Sequence, residues 1–196
     1  MVPADSPYRT LKEFIDASKK PDSKINIGVT GLGSSPHIEF ALINKMTDAK
    51  ISIVPYRGAT FIVNDVLGSQ ITAGSAAVPA MATQIWAGKM KPLAVVSKTR
   101  SSIFPDVPTV KETIGLNVDG FPTWYGFFVP AGTPKEIVKR LETEILAIMK
   151  DPAVVEKMKQ IGTEVLLTGS ETFAAENQVE IDALKRALKE TNVSIK

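Results

Sequence analysis

Between Lys24 and Trp86 one arrangement occurs three times over: a short strand-like run, a loop of small residues, then a helical stripe. Lys24 to Thr30 alternates Ile25, Ile27 and Val29 with polar or small residues, which predicts a strand. Gly31-Leu32-Gly33-Ser34-Ser35-Pro36 follows as a loop, and Ile38, Ala41, Leu42 and Met46 mark the apolar stripe of a helix with Pro36 in its first turn. The second unit is a strand over Ile51 to Pro55, the loop Tyr56-Arg57-Gly58, and a helix from Ala59 to Leu67 stopped by Gly68. The third is a strand over Gln70 to Ala73, the loop Gly74-Ser75-Ala76, and a helix ending near Trp86 before Gly88. A strand over Pro92 to Ser97 comes next. Strands alternating with helices of this length predict an α/β fold with a mostly parallel sheet, flanking helices and right-handed crossovers.

Ahead of this repeat, Thr10-Leu11-Lys12-Glu13 has the form of a capping box, with Leu11, Phe14 and Ile15 on one face of a short helix. Beyond Arg100 the texture changes. Pro105, Pro108 and Pro122 punctuate a short helix capped by Thr109 with Glu112, followed by an extended run from Phe121 to Val129. Thr133-Pro134 opens a long amphipathic helix carrying Ile137, Leu141, Ile145 and Ile148, and Asp151-Pro152 opens another. Glu164 to Thr168 is a candidate strand, and Ser170 is expected to cap a last helix with Phe173, Asn177, Ile181, Leu184 and Leu188 on one side. These later helices have apolar faces but a single candidate strand to cover, so part of that half is expected to be missing.

Composition narrows the chemistry. The formal charge of +2 in 196 residues has no basic cluster behind it, which argues against nucleic acid and anionic membrane as partners. Cysteine is absent, which excludes thiolate nucleophiles, disulfides and thiolate metal clusters, and His37 as the single histidine argues against a histidine-based metal site. No apolar run approaches the roughly 20 residues of a membrane span, and Met1 to Asp5 does not read as a signal peptide.

In an open parallel sheet, ligands bind beyond the carboxyl ends of the strands. Three loops fall there: Gly31 to His37, Tyr56 to Gly58, and Gly74 to Ala76 with Ser75 between. In the first, Gly31 and Gly33 let a ligand approach the backbone around Leu32, Ser34 and Ser35 supply hydroxyls, and the helix behind offers unpaired N–H groups to an anion. The same loop is also readable as a tight turn with a serine cap. Arg57 fits an anion contact or a solvated turn, and Ser75 and Ala76 fit a pocket wall or close packing.

Three enzymatic patterns fit these loops poorly. A dinucleotide fingerprint needs glycine where Pro36 stands and an acid near Tyr56-Arg57. A phosphate loop needs Gly-Lys-Ser/Thr, which is absent. Ser34 or Ser35 with His37 would be a nucleophile and base, but there is no Gly-x-Ser-x-Gly elbow and no acid placed to orient the ring. No catalytic residue and no cofactor are therefore expected.

Five segments, in order, give these loops a second meaning: Gly31-x-Gly33-Ser34-x-x-His37; Val54-Pro55-Tyr56-Arg57-Gly58; Ala87-Gly88-Lys89 with Leu93-Ala94-Val95; Arg100 with Phe104-Pro105-Asp106-Val107-Pro108-Thr109; and Trp124-Tyr125-Gly126 with Pro130-Ala131-Gly132-Thr133-Pro134. Together they resemble the substrate-binding receptors of tripartite tricarboxylate transporters, which include the Bug set of bacterial periplasmic proteins. The resemblance implies a two-lobed, non-catalytic clamp that closes over a small carboxylate in the periplasm and serves the membrane subunits of a transporter. It assigns Gly31, Gly33, Ser34, Ser35 and His37 to a carboxylate-holding loop, and Tyr56, Arg57 and Gly58 to a second wall.

Set against that family, the chain is expected to comprise a connecting helix over 1–20, the ligand-binding second lobe over 21–120, and over 121–196 a crossover with an incomplete C-terminal, helical part of the first lobe. The first lobe's opening strand, glycine loop and helix have no counterpart before Pro7, so the surface they would cover is expected to promote association, including with a second copy. Two other functions remain open on sequence: a nucleotide-dependent or serine-type α/β enzyme, and a freestanding oligomerising interaction domain.

Overall fold

Parallel pairing organises the first half of the chain. The computed structural model describes residues 1–118 and 123–191. In chain order the elements are β1 (Val2–Pro3), α1 (Leu11–Ser18), β2 (Asn26–Val29), α2 (Ser35–Thr47), β3 (Ser52–Pro55), α3 (Ala59–Leu67), β4 (Ala73–Ser75), α4 (Val78–Trp86), β5 (Met90–Lys91), α5 (Val110–Ile114), α6 (Lys135–Met149), α7 (Pro152–Gln160) and α8 (Ser170–Thr191).

The sheet order is β3-β2-β4, all parallel, with Gly28 opposite both Val54 and Gly74. β1 and β5 form an antiparallel ribbon. A reciprocal backbone pair joins the two: the Met1 amino group donates to the Gly74 carbonyl at 2.9 Å, and Gly74 N donates to the Met1 carbonyl at 2.8 Å.

Alternation along β2 builds three layers. Ile27 enters a core with Leu11, Phe14, Ile15, Phe40, Ile43 and Val110, contributed by α1, α2 and α5. Gly28 faces the opposite side, where a Cβ would meet Ile71 at 2.7 Å and Ile62 at 3.2 Å. Gly74 beside it is equally crowded, with Ile62 2.5 Å from an added Cβ. Two paired glycines thus let α3 settle onto the sheet, where Ile62, Val66 and Met81 form a second core.

Local signals hold well. Thr10 caps α1 by accepting from Glu13 N at 3.1 Å, although the Glu13 carboxylate takes the Arg9 amide at 2.7 Å rather than that of Thr10 itself. Thr109 and Glu112 form the reciprocal box at α5, and Asp151 caps α7. α3 occupies the expected residues.

Several expectations fail for identifiable reasons. The third parallel strand is Ala73–Ser75, not Gln70 to Ala73, because Asn26 and Thr72 bond each other's backbone through their side chains and delay the ladder. Gly74 and Ser75 therefore end a strand, and only Ala76 and Ala77 lie in the loop. Pro92 to Ser97 is not a strand. Pro92 has no N–H to give a ladder, and that stretch keeps a single bridge between Val95 and Thr109. Gly68 does end α3 as expected, with φ −82°, and the left-handed position falls one residue later, at Ser69 with φ 54°. The stripe expected on α2 is only half right. Phe40 and Ile43 enter the core, Ile38 and Leu42 meet α8, and Met46 is exposed.

The second half has no sheet among its described residues. Glu164 to Thr168 forms no strand, and 123–130 carries no regular element. Phe121 and Pro122, the start of the expected extended run, lie outside the described residues. Ser170 is the first residue of α8 rather than its cap: its N and Oγ donate to Glu142, and Gly169 O accepts from Phe173 N. α8 packs on α2 through Ala183, Leu184, Ala187 and Leu188. Trp124 stands edge-on to Phe173, its Nε1 donating to Glu180 at 2.8 Å, while Tyr125 is exposed. α6 buries no residue fully.

Candidate functional site

Because β2 pairs in parallel with both neighbours, Val29, Pro55 and Ser75 end side by side. The loops that follow therefore share one edge, and each feeds a helix. The N-cap residues are Ser34 for α2, Gly58 for α3 and Ala77 for α4. Neither α3 nor α4 has a side-chain cap, so the first amides of α3 face this edge without a capping oxygen. In α4, by contrast, Pro79 has no N–H and Ala80 N donates to Ala77 O at 3.1 Å, which leaves Val78 N. The first two loops touch: Tyr56 N donates to Val29 O at 2.8 Å, and a Cβ on Gly31 would lie 4.0 Å from Tyr56 O.

The first loop is tightly bonded to itself. Gly31 and Gly33 have φ of 122° and 72°, the latter in the left-handed region that glycine adopts without a Cβ penalty. Ser34 Oγ donates to Gly31 O at 2.8 Å and accepts from His37 N at 3.4 Å. Gly33 N donates to His37 Nδ1 at 2.9 Å. Ser34 N reaches Gly31 O at 3.4 Å. The amides of Gly31, Leu32 and Ser35 have no acceptor among the described residues. Part of the loop's donor set is thus consumed internally and part is left without an acceptor among the described residues.

These bonds dismantle the serine hydrolase reading. Ser34 Oγ serves the backbone, and His37 Nδ1 faces an amide rather than a hydroxyl. Burial lowers the His37 pKa below its ordinary 6.5. Ser35 is half-buried at the first helical position, and Leu32 is exposed.

In the second loop Tyr56 turns away from the edge. Its hydroxyl donates to Asp65 at 2.7 Å, and burial with that carboxylate pushes the phenol pKa up to about 12. Tyr56 therefore acts as a brace between the loop and α3. Asp65, its partner, went unseen in the sequence because nothing in the nine-residue separation signals the contact. Arg57 is exposed and pairs with no carboxylate among the described residues. A Cβ added to Gly58 would meet nothing within 4 Å, and its φ of 170° is ordinary extended backbone, so space lies open before α3. Ser75 and Ala76 are half-buried at the third loop. Gly74 belongs to the packing against α3.

Among the described residues no three His, Asp or Glu side chains gather as metal ligands, and no helix is long and apolar enough to cross a membrane. An open depression of about 370 Å³ lies elsewhere, between Ser102, Met149, Val155 and Leu167.

Comparison with known proteins gives the family. Residues 1–193 match the tripartite tricarboxylate transporter family receptor. A protein encoded in the tcbD-tcbE intergenic region of Pseudomonas sp. strain P51 is 33% identical over 174 residues, covering 89% of this chain and 52% of its own length. BugT of Bordetella pertussis is 30% identical over 190 residues, covering 95% and 57%. The chain thus spans about half the length of the curated relatives it matches. A solved periplasmic transporter superposes with TM-score 0.88 at 30% identity, covering all of this chain and 65% of that one. Rpa4515 of R. palustris, solved with adipate, gives 0.84 at 26% identity, covering 98% and 64%. The fold is thus that of periplasmic binding proteins, in a family of solute receptors rather than enzymes, and this chain belongs to the tripartite tricarboxylate transporter receptor family.

Proposed function

We propose that the shared edge of the three loops is one wall of a receptor site for a small carboxylate, delivered in the periplasm to the membrane subunits of a secondary transporter. The observation that carries this reading is the convergence of three helix N-termini at one sheet edge, two of them without a side-chain cap. Such ends turn the positive pole of the helix dipole toward an anion, with N–H donors left chiefly at α3 and, singly, at Ser35 of α2 and Val78 of α4. The solved relative bound to adipate supports a carboxylate as the solute class. In this reading Gly31, Leu32, Ser35 and Gly58 offer backbone or hydroxyl donors, Arg57 supplies charge, and Ser75 with Ala76 floors the third side. Ser34, His37 and Tyr56 shape the loops. Residues 21–120 form this receiving lobe, and 121–196 belong to the opposite one.

Magnitudes set the expected affinity. Each hydrogen bond to a charged group contributes about 1.5–3 kcal/mol, each helix end about 0.3–1 kcal/mol, and association itself costs several kcal/mol. A single wall should hold adipate with a Kd on the order of 1 mM, equivalent to about 4 kcal/mol. Titrating the labelled protein with adipate, malate, sulfate and phosphate tests this. Amide resonances of Gly31 to Ser35 and Arg57 to Thr60 should move and saturate with the carboxylates. If none of these anions moves them, the receptor reading is wrong.

A further inference from the structure

We propose that His37 is a positioning residue, which fixes the shape of the receiving loop through Nδ1 rather than acting by contact with the solute. The inference rests on the carboxylate reading of this edge, but its geometry is independent of any ligand. Three bonds close the loop on itself: Ser34 Oγ to Gly31 O, His37 N to Ser34 Oγ, and Gly33 N to His37 Nδ1 at 2.9 Å. The last is the one that fixes Gly33, whose φ of 72° belongs to the left-handed region.

An imidazole that accepts at Nδ1 is neutral and carries its hydrogen on Nε2. Burial of the ring favours that neutral form. Two consequences follow for the site. The histidine brings no formal charge to the anion, so the positive potential comes from helix ends and Arg57. The Gly33 amide is also withdrawn from the ligand, which leaves the Gly31, Leu32 and Ser35 amides as the backbone donors of this loop. A loop already fixed in its binding shape spares the solute the cost of ordering it.

Two substitutions separate positioning from direct contact. In His37→Asn the side-chain oxygen stands as many bonds from Cα as Nδ1, whereas in His37→Gln the polar end stands where Nε2 does. The measurements are amide exchange at Gly33 and titration with adipate. In the parent and His37→Asn, Gly33 should be protected and adipate should bind alike. In His37→Gln, exchange at Gly33 should quicken about tenfold and adipate binding weaken about tenfold, as expected for one lost hydrogen bond. The parent alone gives a further reading, since its His37 Nδ1 should resonate as an unprotonated nitrogen coupled to the Gly33 N–H. The proposal is overturned if the parent's Gly33 amide is unprotected, or if Gln preserves adipate binding while Asn loses it. Failure of adipate to bind the parent would sink the carboxylate reading, yet the exchange pattern at Gly33 would still decide the role of His37.

Discussion

Glu39 and the amino group of Met1 are both enclosed with no opposite charge acting on them, and burial shifts each toward its neutral form. Their effects on stability run in opposite directions. The Glu39 carboxyl is held well above its ordinary 4.5, so its contribution is complete below pH 4.5 and is lost as pH rises through the folded value. Glu39→Gln should therefore match the parent near pH 4 and surpass it increasingly toward pH 8, measured as the urea midpoint. A free amine at Met1 falls from 8.0 to about 5. Its contribution is complete above pH 8 and is lost as pH falls toward 5, by up to about 4 kcal/mol over three units. Acetylating that amine should flatten the acid side of the profile, since an amide N–H can still donate to Gly74 O. At Gly33 the expectation is steric: Gly33→Ala places a Cβ in the left-handed region and should cost about 1–2 kcal/mol in a denaturant titration.

At the scale of elements, the approach of α3 to the sheet depends on Gly28 and Gly74 standing in register. Gly74→Ala would put a methyl 2.5 Å from Ile62 in a filled core. We expect a loss of about 1–3 kcal/mol, seen as a lower melting temperature, with the loops at the sheet edge still able to form. This level also shows what the sequence made legible. Caps and stops depend on neighbours a few residues apart, so α3, α5 and α7 were readable from Gly68, Thr109-x-x-Glu112 and Asp151-Pro152. The start of β4 was not, because it depends on Asn26 reaching Thr72, 46 residues away. The second face of α2 was hidden for the same reason: its cover, α8, arrives from the far end of the chain. The candidate site divides likewise. Alternation of strands and helices was enough to bring three loops to one edge, whereas the capture of the Gly33 amide by His37 depends on where a ring turns.

For the whole molecule, the contrast between halves decides behaviour in solution. The first half closes its sheet between two helical layers, but α6 buries no residue fully and exposes Ile137, Leu141 and Ile148. Beside it in sequence, Phe127 and Leu166 are about three-quarters exposed, at 77% and 74%, on stretches with no strand partner among the described residues. Exposed apolar area beside backbone that has no ladder partner favours association. The protein should therefore sediment as a species that grows with concentration across the micromolar range. Phe127→Lys with Leu166→Lys should shift it toward a monomer, because each lysine adds charge to that surface without entering either core of the first half. The Gly31 to Ser35 resonances should be unchanged in the double variant. A parent that remains monomeric throughout that range would overturn the expectation that these exposed side chains drive association.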